Sequence, residues 1–156
     1  MVLVCLGLVA ICGAAELGAP RWMRDGAKAV LPNPALVIEY RETEPGGRVR
    51  MFRVDGRGNG RRAIVGEASS VRRVRVNPRD VQALFRVIAL EHRFLTRGPV
   101  VAPPADETLP ARLSVQIGEH RVVYRGRAKP DAGPKSSGLS LVRFRLRVML
   151  PDASER

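Results

Sequence analysis

Asn77-Pro78-Arg79-Asp80-Val81-Gln82-Ala83-Leu84-Phe85-Arg86-Val87-Ile88-Ala89-Leu90 carries the strongest structural signal in the chain. Asn77 can accept the first free N–H groups of a helix, Pro78 suits the first helical position, and Asp80 puts a negative charge near the positive end of the dipole. Val81, Leu84, Phe85 and Ile88 recur at helical spacing, with Val87 and Leu90 widening the stripe, while Arg79, Gln82, Arg86 and Arg93 can face water. A helix over about residues 78–93 follows. His92 falls near its end, where a cation is favoured, and reads as a capping or surface group.

On the N-terminal side of this helix the chain reads as hairpins. Ala35–Arg41 alternates Leu36, Ile38 and Tyr40 against Val37 and Glu39, Pro45-Gly46-Gly47 supplies turn chemistry, and Arg48–Val54 resumes extended structure. The apolar parity shifts at Met51-Phe52, which predicts a bulge. Asp55-Gly56-Arg57-Gly58-Asn59-Gly60 reads as a hairpin tip. It departs from a calcium loop because Arg57 stands where a ligand belongs and Gly66 replaces the closing Glu. It departs from a phosphate loop because no helical run follows. Arg61–Glu67 and Val71–Val76 are two further extended pieces.

On the C-terminal side, Gly98–Pro110 is a proline-dense connector, and Arg112–Ile117, Gly118-Glu119 and His120–Arg125 form a second hairpin. Ala128–Gly138 is a polar loop. Segment 139–150, LSLVRFRLRVML, fits two periods. As a helix it lines up Leu139, Val142, Leu146, Met149 and Leu150; as a strand it sets Val142, Phe144, Leu146, Val148 and Leu150 against Arg143, Arg145 and Arg147. The strand has the cleaner alternation and is preferred. The expected fold is therefore α+β: a mostly antiparallel sheet of about five to seven strands, with one central helix, 78–93, on one face.

The first residues point elsewhere. Val2–Ala15 is an uncharged run, too short to span a bilayer but suited to the apolar core of an export signal. Residues 1–15 are read as a signal peptide or lipoprotein signal, 16–34 as a tether, 35–150 as a single domain and 151–156 as a tail. Gly13-Ala14-Ala15 offers a cleavage site. Val9-Ala10-Ile11-Cys12 is similar to a lipobox, with Ile11 where a small residue is usual, and makes Cys12 a candidate lipidation site. Cys5 and Cys12 both fall in this segment, so a chain cut after Ala15 has no thiol for a disulfide, zinc ribbon or nucleophile.

Charge narrows the function. Lys and Arg number 27 against 15 Asp and Glu, a formal +12, and a surplus that size attracts polyanions. Only Lys28, Lys129 and Lys135 are lysines, a bias that GC-rich coding partly explains. On the strand reading, Arg143, Arg145 and Arg147 project one way at about 7 Å intervals, and Arg72, Arg73 and Arg75 could add a neighbouring stripe. These six form the candidate anion-binding face. His92 and His120 lie in different elements with no nucleophile at a diagnostic spacing, and no carboxylate pair among Glu39, Glu42, Glu44 and Glu67 is distinctive. No catalytic, cofactor or metal residue is assigned.

The order of elements, from the lipobox-like stretch through ALVIEYR, the Gly-rich tip and Asn77-Pro78-Arg79-Asp80 to ARLSVQIGEHRVVY, resembles small secreted or lipid-anchored bacterial envelope domains in which hairpins flank one helix. The resemblance covers roughly residues 35–125, carries no functional motif and implies no activity. The expectation is an exported, non-enzymatic envelope module that binds a protein, an anionic polymer or a lipid surface through a basic face. A periplasmic inhibitor or chaperone-like binder is the first alternative and a divergent hydrolase the second. Nucleic acid is disfavoured as a partner by the shortage of aromatic residues for base stacking.

Overall fold

The computed structural model describes residues 18–66, 69–97 and 107–151. The export-signal reading of 1–15, Cys12 and nearly all of the 151–156 tail lie outside the described residues. Six antiparallel strands, β1 (Leu36–Thr43), β2 (Val49–Asp55), β3 (Asn59–Val65), β4 (Ser70–Arg75), β5 (Leu109–Ile117) and β6 (His120–Ala128), form one sheet in the order β4-β3-β2-β1-β5-β6. The helices are α1 (Arg21–Lys28), α2 (Pro78–Leu90), α3 (His92–Arg97) and α4 (Gly138–Met149). The α+β class and the antiparallel sheet are as the sequence predicts.

Alternation in the strands builds the core. Leu36, Ile38 and Tyr40 of β1 stand beside Phe52 and Val54 of β2 and Leu113 and Val115 of β5, all fully buried. Val81, Leu84, Phe85 and Ile88 of α2 close over them in one apolar cluster. The N-terminus of α2 is capped as its sequence requires, with Asn77 Oδ1 accepting from the Arg79 N–H at 2.9 Å. Gly60 lets the C-terminal end of α4 approach the sheet closely: a Cβ there would lie 2.4 Å from Leu150 Cδ2, which would have to move.

Five expectations are corrected. Segment 138–149 is the helix α4, not a strand, and it buries Leu139, Val142, Arg143 and Leu146. The two-residue alternation misleads because Arg143 counts as polar although it lies on the buried stripe, where Glu42 neutralises it. Within the 16–34 tether, Arg21–Lys28 forms α1, which packs on α2 and buries Met23 completely. Gln82, expected in water, is buried and donates through Nε2 to the carbonyls of Gly26 at 3.0 Å and Ala29 at 2.8 Å, closing the C-terminal end of α1. No bulge occurs at Met51-Phe52: the β2 register runs unbroken against β1 and β3, with Met51 on one face and Phe52 on the other. The predicted single helix 78–93 is also divided, since α2 stops at Leu90 and α3 begins at His92.

Candidate functional site: the open face of the sheet

The four described helices lie on the face of Leu36, Ile38 and Tyr40, and no described element covers the opposite face. Strand parity assigns that open face to Glu39 and Arg41 of β1, Arg53 and Asp55 of β2, Arg61 of β3, Arg73 and Arg75 of β4, Arg112 of β5 and Arg125 of β6, together with Arg121, which donates to Ser114 Oγ at 3.0 Å, and Arg127, which donates to Thr108 Oγ1 at 2.6 Å. Register then sets arginine against arginine. Arg53 is opposite Arg61, and Arg61 is opposite Arg73, a row of three guanidinium groups across β2, β3 and β4. In the other half, Arg41 is opposite Arg112, and Arg112 is opposite Arg125, a second row across β1, β5 and β6. Neighbouring strands are about 4.8 Å apart, so each row roots its arginines on backbone positions closer together than a Debye length in physiological salt.

Counter-charge on this face is sparse. Glu39 sits between the rows and accepts from Arg41 Nε at 2.8 Å and Arg53 Nη1 at 3.3 Å. Asp55 is occupied differently: its Oδ1 accepts the N–H groups of Arg57 and Asn59, both at 2.9 Å, and its Oδ2 accepts Asn59 Nδ2 at 2.7 Å. Partial burial pushes the Asp55 carboxyl up, but these hydrogen bonds outweigh it and hold the group below its ordinary value. Asn59 Oδ1 in turn accepts from Arg75 Nη1 at 2.6 Å. This is the plain turn the Gly-rich tip predicts, with Gly58 at φ 81°. Arg61, Arg73, Arg112 and Arg125 remain exposed, with no ion pair among the described residues. Arg53, Asp55, Asn59, Arg61, Arg73 and Arg75 together line a surface depression.

The six arginines singled out from sequence do not form one face. Because 143–147 is helical, residues two apart point in widely different directions. Arg143 is buried, donating from Nε to Glu42 Oε2 at 2.6 Å, from Nη2 to Glu42 Oε1 at 3.0 Å and from Nη1 to the Pro130 carbonyl. Tyr40 completes this cluster, donating to Glu42 Oε2 at 3.1 Å; burial, then the Glu42 charge, drive its phenol far above the ordinary value. Arg147 is half-buried and reaches the Pro130 carbonyl at 3.5 Å. Arg145 is exposed on α4, away from both. Arg72 faces the helices and donates to the Pro151 carbonyl at 3.2 Å. Only Arg73 and Arg75 belong to the open face.

Arg41, Arg53, Arg61, Arg112 and Arg125 escaped the sequence reading. Each sits at a polar position of an alternating run, a signal that was visible; that they oppose one another depends on register, which was not. Both histidines meet aromatic side chains. His92 Nδ1 and the Tyr124 hydroxyl share a hydrogen bond of 2.6 Å, and burial lowers the His92 pKa. His120 stacks on Trp22 with centroids 5.7 Å apart. Among the described residues no group of three or more His, Cys, Asp and Glu is placed to hold a metal ion. No protein-family model matches the chain, and no curated protein matches it at a significant level.

Proposed function

We propose that the protein is a non-enzymatic module that binds an anionic polymer along the open face of its sheet. The observation that carries this reading is the pair of rows, Arg53-Arg61-Arg73 and Arg41-Arg112-Arg125, in which like charges stand directly opposite on adjacent strands. Such pairs destabilise a sheet, and a bound polyanion relieves the repulsion. The described open face offers no aromatic ring, so recognition runs through charge and not through base stacking. The carboxylates on this face are already engaged as acceptors, which leaves charge pairing as the chemistry available. The uncharged run Val2–Ala15 supports export and a polymer of the cell envelope as the target.

The test is the salt dependence of binding to heparin and to inorganic polyphosphate. Replacing Arg61, Arg73, Arg112 and Arg125 by Ala is expected to lower the slope of log K against log salt by about 3, near 0.7 per lost contact on a flexible polyanion. A variant losing Arg21, Arg79, Arg97 and Arg145 has the same net charge and is expected to keep most of the affinity. Equal losses in the two variants overturn the reading, since net charge alone would then explain the binding.

A further inference from the structure

A second exposed surface lies on the helical side, built from residues that the sheet face does not use. Its floor is apolar, with Ala19 before α1, Ala27 on α1 and Ala89 and Leu90 on α2, and four cations, Arg24, Lys28, Arg86 and Arg93, stand around it. No carboxylate lines it. Arg86 is fixed in place, donating from Nε to the Ala27 carbonyl at 2.9 Å and from Nη2 to the Ala29 carbonyl at 2.6 Å.

Large apolar side chains project from this surface. Leu90 is 80 % exposed and Phe94 is 55 % exposed, four residues further on. Backbone hydrogen bonds from Glu91 to Val87 and from Leu95 to Glu91 carry the helical turn across the junction between α2 and α3, so Leu90 and Phe94 share a side. Val30 and Leu31, 79 % and 56 % exposed, follow directly after α1. Gly18, the first described residue, also lines the depression, and the uncharged run Val2–Ala15 ends just upstream of it.

We infer that this α1–α2–α3 face docks on an anionic lipid bilayer. Apolar side chains that stand outward, ringed by long cationic ones, match the boundary between acyl chains and headgroups: Leu90 and Phe94 enter the acyl edge while Arg24, Lys28, Arg86 and Arg93 extend to the phosphates. Outward projection favours a deformable partner such as lipid over a preformed protein ligand. Among the described residues no helix is long and apolar enough to cross a membrane. Chain leaving Gly18 toward a membrane would hold this face against it.

The experiment is co-sedimentation of the full chain with vesicles of phosphatidylcholine alone and with phosphatidylglycerol added. Wild type is expected to bind the anionic vesicles and to release them at high salt. The double variant Leu90→Glu, Phe94→Glu changes exposed positions only and should fold normally by circular dichroism; its partitioning should drop at least about tenfold. Arg24→Glu with Lys28→Glu should remove the preference for the anionic lipid. Arg61, Arg73, Arg112 and Arg125 to Ala should bind vesicles like wild type, which separates this inference from polymer binding by the sheet. Unchanged binding by the Leu90, Phe94 variant overturns the inference and assigns the attraction to the upstream run. Loss confined to the sheet variant overturns it in favour of the other face. A dimer that the Leu90, Phe94 variant converts to monomer, without vesicle binding, overturns it in favour of a second copy.

Discussion

Arg61 and Arg62 are adjacent on β3, yet they lie on opposite faces of the sheet and serve opposite ends. Arg62 is buried on the covered face, where its guanidinium sits 5.1 Å from the centre of the Phe52 ring and Nη1 donates to the Leu150 carbonyl at 3.1 Å. Arg61 is exposed on the open face, with Arg53 on one side and Arg73 on the other. The covered face takes charge only where an acceptor or ring meets it. The open face gathers like charges that water and salt merely screen. An arginine in the first setting holds the fold together, and one in the second is available to a ligand.

The sharpest way to break this contrast is at Arg143. Replacing it by Ala leaves the fully buried Glu42 with the neutral Tyr40 hydroxyl and, for counter-charge, the more distant Arg50 Nε at 3.8 Å, and the loss should be about 3–5 kcal/mol in a urea titration. Replacing Glu42 by Leu and Arg143 by Met together should recover much of it, because a filled apolar pair leaves no charge stranded. Next comes Arg62→Ala, which removes the ring contact and the donor to Leu150 and is expected to cost about 2–3 kcal/mol in the same assay.

A smaller effect is expected from pH. His92 is held neutral by burial, with a folded pKa below its ordinary 6.5, so the unfolded chain takes up a proton that the folded one resists. Stability is full above that ordinary value and falls as pH drops toward the lowered folded pKa. Thermal melting from neutral to mildly acidic pH should show the decline, and His92→Phe should flatten it.

The smallest effect belongs to the open face. Arg61→Ala and Arg73→Ala should each change stability by less than about 0.5 kcal/mol, and in the stabilising direction at low salt, because each removes a like-charge opposition. Added salt should stabilise wild type more than these variants. A large destabilisation from either one would erase the distinction between the two faces.

Much of this organisation was legible in the chain. The α2 cap, the strand alternation around Tyr40 and Leu113, and the Gly-rich tip are local signals that local structure obeys. Segment 139–150 was not, because two periods fit it and the choice turns on Arg143: polar by type, it is buried only because Glu42, 101 residues away in sequence, meets it. The same limit hid α1, whose Met23 is covered by packing that no short window of sequence contains.

The α+β class, the position of α2, the hairpins and the positive charge follow from periodicity, capping and composition alone. Which arginines are buried and which are displayed depends on strand register and helix packing, which join residues far apart in the chain. Burial then separates side chains that are chemically identical.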